Sequence, residues 1–348
     1  MAYTTIKKPT DYFNTKLYSG DGGTQSVTGV GFQPDFSWLK CRTTAYHHRL
    51  FNAVSGAGKN LISDNTNALQ TIDEGITAFN ADGFSVKQGS SLEYNASGQT
   101  YVSWNWKANG AGSLNEVGSI DSTVSVNTTS GFSICKWSGS GANATIGHGL
   151  GVAPKMIITK SLGSSAWAVY NENLGNTNVL FLDTAAATSA NIAYWNNTSP
   201  TSTVFSVGTD SAVNHSGNDM VAYCFAEKVG YSKFGKYTGN GNTDGPFVFT
   251  GFKPAYVLTK YSDSTSGWWQ ILDNKRDDGM NPRNSYIMPN QNSSEDANNS
   301  TVDTDFLSNG FKLRATTGAL NASGETLIYM AFAEHPFVSS EGVPCTAR

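Results

Sequence analysis

Tyr18-Ser19-Gly20-Asp21-Gly22, Trp137-Ser138-Gly139-Ser140-Gly141 and Tyr237-Thr238-Gly239-Asn240-Gly241 are three versions of one phrase. A Gly-x-x-Pro follows each and ends at Pro34, Pro154 or Pro254. A lysine stands six residues beyond each proline, at Lys40, Lys160 and Lys260. Each copy closes on Asn-x-Ser-Gly, from Asn95, Asn214 and Asn321, and then on an aromatic-rich run. A unit of about 100 residues repeated three times predicts three similar domains rather than one large enzyme core.

The spacings place the joints. Pro34 to Pro154 is 120 residues and Pro154 to Pro254 is 100, so the first interval holds a connector. The expected division is an N-terminal arm over 1–10, repeats over 11–110, 131–229 and 230–337, a connector with an extra strand over 111–130, and a tail over 338–348. Asn214 to Asn321 is 107 residues, and the excess is expected in the polar stretch Asn290 to Asp305. Proteolysis is expected first at Ala111 to Ser119, releasing the last two repeats as a stable fragment.

Strand patterning dominates. Phe36-Ser37-Trp38-Leu39-Lys40, Lys155 to Lys160 and Ala255 to Lys260 read as equivalent strands. Tyr101 to Trp106 and Met220 to Phe225 alternate with period two, and Leu327 to Phe332 is continuously apolar, as in a strand buried on both faces. Asp82-Gly83 and Asn309-Gly310 are hairpin signals. No segment shows capped helical periodicity. The expected fold is all-β, three tandem β-sandwich repeats.

Charged residues are 14% of the 348, and the net charge is −4. Without a basic cluster, nucleic-acid binding is not expected. No apolar run is long enough for a spanning helix, so membrane insertion is not expected. The first ten residues lack an apolar secretion core. Cys41, Cys135, Cys224 and Cys345 do not recur with the repeat; three buried strand thiols and one tail thiol are expected, with no disulfide framework.

Catalytic and cofactor patterns are weak. Val54 to Asn60 resembles the end of a phosphate loop, but Ala53 and Asn60 break that motif. Asn240 to Gly245 resembles the start of a calcium loop, yet Gly251 stands where the bidentate Glu belongs. No metal, cofactor or catalytic residue is expected. The aromatic clusters carry more. Tyr46, His47, His48, Trp167, Trp268 and Trp269 lie six to nine residues after the repeated lysines, and Tyr194-Trp195 precedes two amides. Flat apolar rings beside amides suit sugar faces, so these eight are candidate receptor or glycan contacts; a core role is the other reading. The Asn-x-Ser/Thr sequons, Asn95, Asn143, Asn214 and Asn321 among them, are expected to stay unmodified.

The segments Asp11 to Tyr18, Gly31 to Asp35, Tyr101 to Gly110, Gly147 to Lys155 and Phe225 to Gly235 resemble repeat-containing virion structural proteins of marine tailed bacteriophages. The likeness covers nearly the whole chain. It implies a non-enzymatic tail-fibre, receptor-binding or head-surface protein, made in the bacterial cytoplasm and released by lysis. Its expected partners are other virion proteins of capsid or tail, a host surface glycan or receptor, and two further copies if it trimerises. A glycan depolymerase using acids in Asn290 to Asp305, or a carbohydrate-binding module, are the rival expectations.

Overall fold

The computed structural model describes residues 3–263, 267–316, 318–339 and 341–344. The chain is all-β, with every strand pair antiparallel. Among the described residues two single-turn α-helices depart from the expectation of none, Ile192–Trp195, capped by Asn191, and Ser211–Asn214, capped by Asp210, beside 3₁₀ turns at Pro9–Asp11 and Ser300–Val302. One turn is too short to show periodicity, so only the capping residues could have marked them.

Three large sheets share one strand order. In the first, Phe13–Ser19 lies beside Thr100–Trp106, then Phe36–Cys41, then Arg49–Asn52. In the second the order is Phe132–Ser138, Asp219–Phe225, Met156–Ser161, Trp167–Asn171; in the third it is Ser232–Thr238, Thr326–Pro336, Phe252–Tyr261, Gln270–Asp273. The registers correspond. Phe36 pairs with Trp106, Met156 with Phe225 and Tyr256 with Phe332. Ser113–Asn115 and Ser122–Asn127 extend the second sheet, where the connector was expected to add a strand. A smaller sheet accompanies each large one: Thr24–Thr28 with Gly83–Lys87 and Gly75–Asn80, Ala144–Gly147 with Val204–Val207, and Phe247–Phe249 with Gly310–Leu313 and Thr304–Leu307.

The repeated phrase and the repeated Asn-x-Ser-Gly prove to be two halves of one lock. The Asn95 amide nitrogen donates to Asp21 Oδ1 (2.6 Å) and to the Gly23 carbonyl (3.2 Å). Asn214 donates likewise to Ser140 Oγ and the Ala142 carbonyl, and Asn321 to Asn240 Oδ1 and the Asn242 carbonyl. In return Gly22, Gly141 and Gly241 donate their N–H to the carbonyls of Asn95, Asn214 and Asn321. Those glycines have φ of 78°, 70° and 65°, in the region that other residues avoid. Gly20, Gly139 and Gly239 lie so close to the partner turn that a Cβ would stand 2.1 to 2.2 Å from a carbonyl oxygen. The three asparagines are fully buried.

Each large sheet is buried on both faces, because alternate side chains serve two cores. Leu39 and Cys41, with Phe51 and Tyr101, pack under the first small sheet, and comparable clusters lie under the other two. The opposite faces meet in a single central cluster. It gathers Phe13, Phe36 and Trp106 from the first sheet, Phe132, Tyr223 and Phe225 from the second, and Tyr256 and Phe332 from the third. Phe36 stacks on Tyr223 (4.2 Å), Phe13 on Phe332 (5.1 Å), and Phe225 meets Phe332 edge-on (6.0 Å). Such ring pairs contribute about 0.5–1.5 kcal/mol each beyond their buried area. The core thus runs without a break through all three repeats.

Hydrogen bonds close the arrangement into a ring. Leu69 N–H donates to the Leu162 carbonyl, Thr188 to Ser262 and Glu295 to Arg42, at 2.8 to 2.9 Å. The register makes these one contact made three times, from first repeat to second, second to third, and third back to first. The repeated lysines run the other way. Lys160 Nζ reaches the Thr66 carbonyl (3.4 Å), Lys260 reaches Ala185 (3.2 Å) and Lys40 reaches Asn292 (3.3 Å). The three cysteines among the described residues, Cys41, Cys135 and Cys224, are buried free thiols; Cys345 lies outside them.

Candidate functional site

The aromatic candidates divide by burial. His48, Trp167 and Trp269 occupy one equivalent position, next to Lys40, Lys160 and Lys260 in register, and all three are buried. Trp167 Nε1 donates to the Ile62 carbonyl and Trp269 Nε1 to that of Phe181, each at 2.8 Å. His48 accepts from Trp38 Nε1 at its Nδ1 (2.9 Å). Its other nitrogen faces the backbone of Met288, though without a hydrogen bond of ordinary geometry. Burial pushes the His48 pKa down to about 3, so it stays neutral. Tyr194 and Trp195 are buried as well, edge-on to Phe181 and Tyr170. The rings of these five fill joints and cores, which is the other reading of the same residues, and sequence cannot tell a joint tryptophan from a displayed one. Tyr46 and His47 are half-buried and Trp268 is 41% exposed. His47 shares a 2.6 Å hydrogen bond with Asp64, which raises its pKa.

The extra residues of the third repeat do not sit in Asn290 to Asp305. Leu61 pairs with Leu50, Leu180 with Val169, and Ile287 with Ile271, so these three positions correspond. Nine positions separate Asn52 from Leu61 and Asn171 from Leu180, but fourteen separate Asp273 from Ile287. Five residues are therefore inserted between Asn274 and Tyr286. The later stretch has nearly the standard length; only its polarity made it resemble an insertion.

The inserted loop carries two buried arginines with different fates. Arg276 lies between Asp273 (2.6 Å) and Glu295 (3.1 Å), with its guanidinium over Trp104. Trp104 Nε1 donates to Asp273 (2.9 Å), and Arg42 bonds Glu295 (2.8 Å). This chain of charges joins the third repeat to the first and is satisfied. Burial raises the Asp273 carboxyl, but Arg276 and the donors around it outweigh that and hold its pKa below the ordinary value.

Arg283 is only 2% exposed and lies over the Phe306 ring. Its Nη2 donates to the Gly279 carbonyl (2.9 Å), while Nε and Nη1 have no partner. It borders two adjoining cavities of about 260 and 280 Å³. Lys253, Asp278 and Gly279 line both, with Asn274, Lys275 and Glu334 in one and Met280, Asn281 and Phe306 in the other. Lys253 pairs with Glu334 (3.0 Å), and the Asn274 Oδ1 has no partner. Buried donors and acceptors without protein partners, on residues that line one cleft, make it the candidate site for a polar ligand. Only the acid-rich character of the region was visible in the sequence.

A family model described as a domain of unknown function, DUF7483, matches residues 8–336. The chain belongs to this family. No curated protein and no solved structure matches it. The match spans all three large sheets and the cleft, so the whole ring lies inside one family unit.

Proposed function

We propose that this DUF7483 chain is a non-enzymatic surface protein of a tailed-phage virion, three sandwich modules arranged as a ring that holds loops for attachment to the host. The observation that carries this reading is the contrast between core and rim. The repeated elements are locked by the same bonds three times over, while the third module departs from the others chiefly in a polar loop at its edge. A scaffold that is rigid at its centre and varied at its margin suits binding, since ordered loops lose little entropy on contact. The phage context rests on the sequence resemblance. The partners are then other capsid or tail proteins on one side and a host glycan on the other.

Two acids of Asn290 to Asp305 give little support to the depolymerase alternative: Glu295 is bonded to Arg42 and Arg276, and Asp305 to Arg314. Asp303, with one carboxylate oxygen unpartnered and its pKa raised by burial, is the acid that alternative would use. Two experiments test the reading. Labelled antibody against the protein should decorate intact virions in electron micrographs, and the purified chain should bind host cells without releasing reducing sugar. Undecorated virions, or reducing ends lost in Asp303→Asn, would reject it.

A further inference from the structure

We propose that the cleft beneath the Asn274–Tyr286 loop binds the carboxylate of an acidic sugar, a hexuronate unit of a surface glycan. This rests on the glycan-attachment reading above and gives it a location and a chemistry.

The inference starts from Arg283. A guanidinium carries five N–H donors and no acceptor. Here it is almost wholly buried, yet two of its nitrogens find no protein partner. Leaving a buried charged donor unpaired is costly, so such a group is retained where something else completes it. Neither of the other repeats has an arginine in the short turn at this place, since their turns run through Ala53 to Asn60 and Glu172 to Val179. The insertion and the unpaired arginine are therefore one feature.

The surroundings select the ligand. Lys253, Lys275 and Arg283 line the cleft with Asp278 and Glu334, and the nearby Asp277 carboxylate also attracts Arg283 without hydrogen-bonding its Nε or Nη1. Glu334 is already neutralised by Lys253, and Lys275 is solvent-exposed at the mouth. A carboxylate entering beside Arg283 and Lys275 gains charge-assisted hydrogen bonds. The open Asn274 Oδ1 and the rim carboxylate of Asp278 are acceptors, which a simple anion cannot use and sugar hydroxyls can. Each cavity, at about 260 and 280 Å³, lies below the roughly 300–1,000 Å³ of sites for drug-sized ligands. One ring fits that space better than an oligosaccharide, with the neighbouring units running out over Met280, which is 68% exposed.

The test uses the full chain and three probes: methyl glucuronoside, methyl glucoside and sodium acetate, titrated by NMR or calorimetry. The glucuronoside should bind about tenfold more tightly than the other two, and its affinity should fall as salt is raised. Lys275→Glu, a surface change, should cost roughly fivefold in affinity with the melting temperature unchanged, and Arg283→Gln should abolish binding. Equal binding of glucuronoside and glucoside, acetate competing as well as the sugar acid, or an unaffected Lys275→Glu variant would each overturn the proposal. If the glucuronoside fails while the protein still coats host cells, only this site assignment falls. If cells and virions are both negative, the attachment reading falls with it.

Discussion

Trp167 places its indole N–H on the carbonyl oxygen of Ile62 at 2.8 Å, and Trp269 does the same to Phe181 one repeat later. These two bonds stitch second repeat to first and third to second. Trp167→Phe keeps most of the ring but leaves the Ile62 carbonyl unpaired, and should cost about 1–3 kcal/mol. Trp167→Ala should cost about 3–5 kcal/mol. Trp268→Ala, at an exposed site beside it in sequence, should stay within about 0.5 kcal/mol. Urea denaturation curves on the three variants separate a joint tryptophan from a displayed one.

Cutting the chain should not take it apart. The stretch Ala111 to Ser119 is still a reasonable first site for a protease, with Leu114 67% exposed. However, Phe13, Trp104 and Trp106 lie in the same cluster as Phe225 and Phe332. The cleaved pieces should therefore co-elute at the size of the intact protein in gel filtration. Residues 131–344 expressed alone should aggregate, since an apolar face would be bare. A soluble, cooperatively folding fragment of that length would show that the shared core is dispensable.

Alkaline stability should run against the usual trend. Burial pushes Lys40, Lys160 and Lys260 each down to about 8, against roughly 10.4 in an unfolded chain. Below pH 8 both states hold the protons and the native state bears the full cost of burying the charge. From about pH 8 to 10.4 the native amines have released protons that the unfolded chain keeps, so stability rises with pH. Above about pH 10 the buried tyrosines reverse this. Tyr231, Tyr237 and Tyr256 are pushed up by burial and stay neutral in the native state while the unfolded phenols ionise. The urea midpoint should be higher near pH 9.5 than near 7.5, and Lys160→Met should flatten the rise.

The Asp273–Arg276 pair gives a clean double-mutant cycle. Asp273→Asn should cost about 3–5 kcal/mol because it removes one of the two carboxylates that compensate a buried guanidinium and leaves it only Glu295. Adding Arg276→Met should recover part of that loss, since the under-compensated charge goes with it. Additive losses in the double variant would mean that the two side chains act independently.

How much of this was visible beforehand follows from what each pattern encodes. The Gly-x-Gly and Asn-x-Ser-Gly phrases stood out because each residue in them has a backbone duty that few others can perform. The hairpins were legible too: the pairing of Asn80 with Gly83 and of Leu307 with Gly310 puts a tight turn at the Asp82-Gly83 and Asn309-Gly310 signals. The central cluster was not, because a strand such as Phe36–Cys41, with Phe, Trp, Leu and Cys among its six residues, reads the same whether it faces one core or two. The place of the insertion was hidden as well. Spacing between Asn214 and Asn321 counts the extra residues but does not locate them, and register did. Arg283 gave no signal in the sequence, since whether an arginine finds its partners depends on residues far from it, such as Gly279 and Phe306 in three dimensions.

Residue Asn171 shows what the threefold plan leaves over. Its equivalents find partners in the next repeat: Asn52 donates to the Tyr223 hydroxyl (3.1 Å), and Asp273 accepts from Trp104. The residue in register with Tyr223 and Trp104 is Met330, which offers no donor and only a weak sulfur acceptor, and the Asn171 amide nitrogen goes unpaired. A ring of three identical chains would have to repeat any such flaw, and any improvement, at every joint. One continuous polypeptide is free of that rule. Each third can mutate alone, so a loop can be lengthened on a single side while the other two keep the shared core intact.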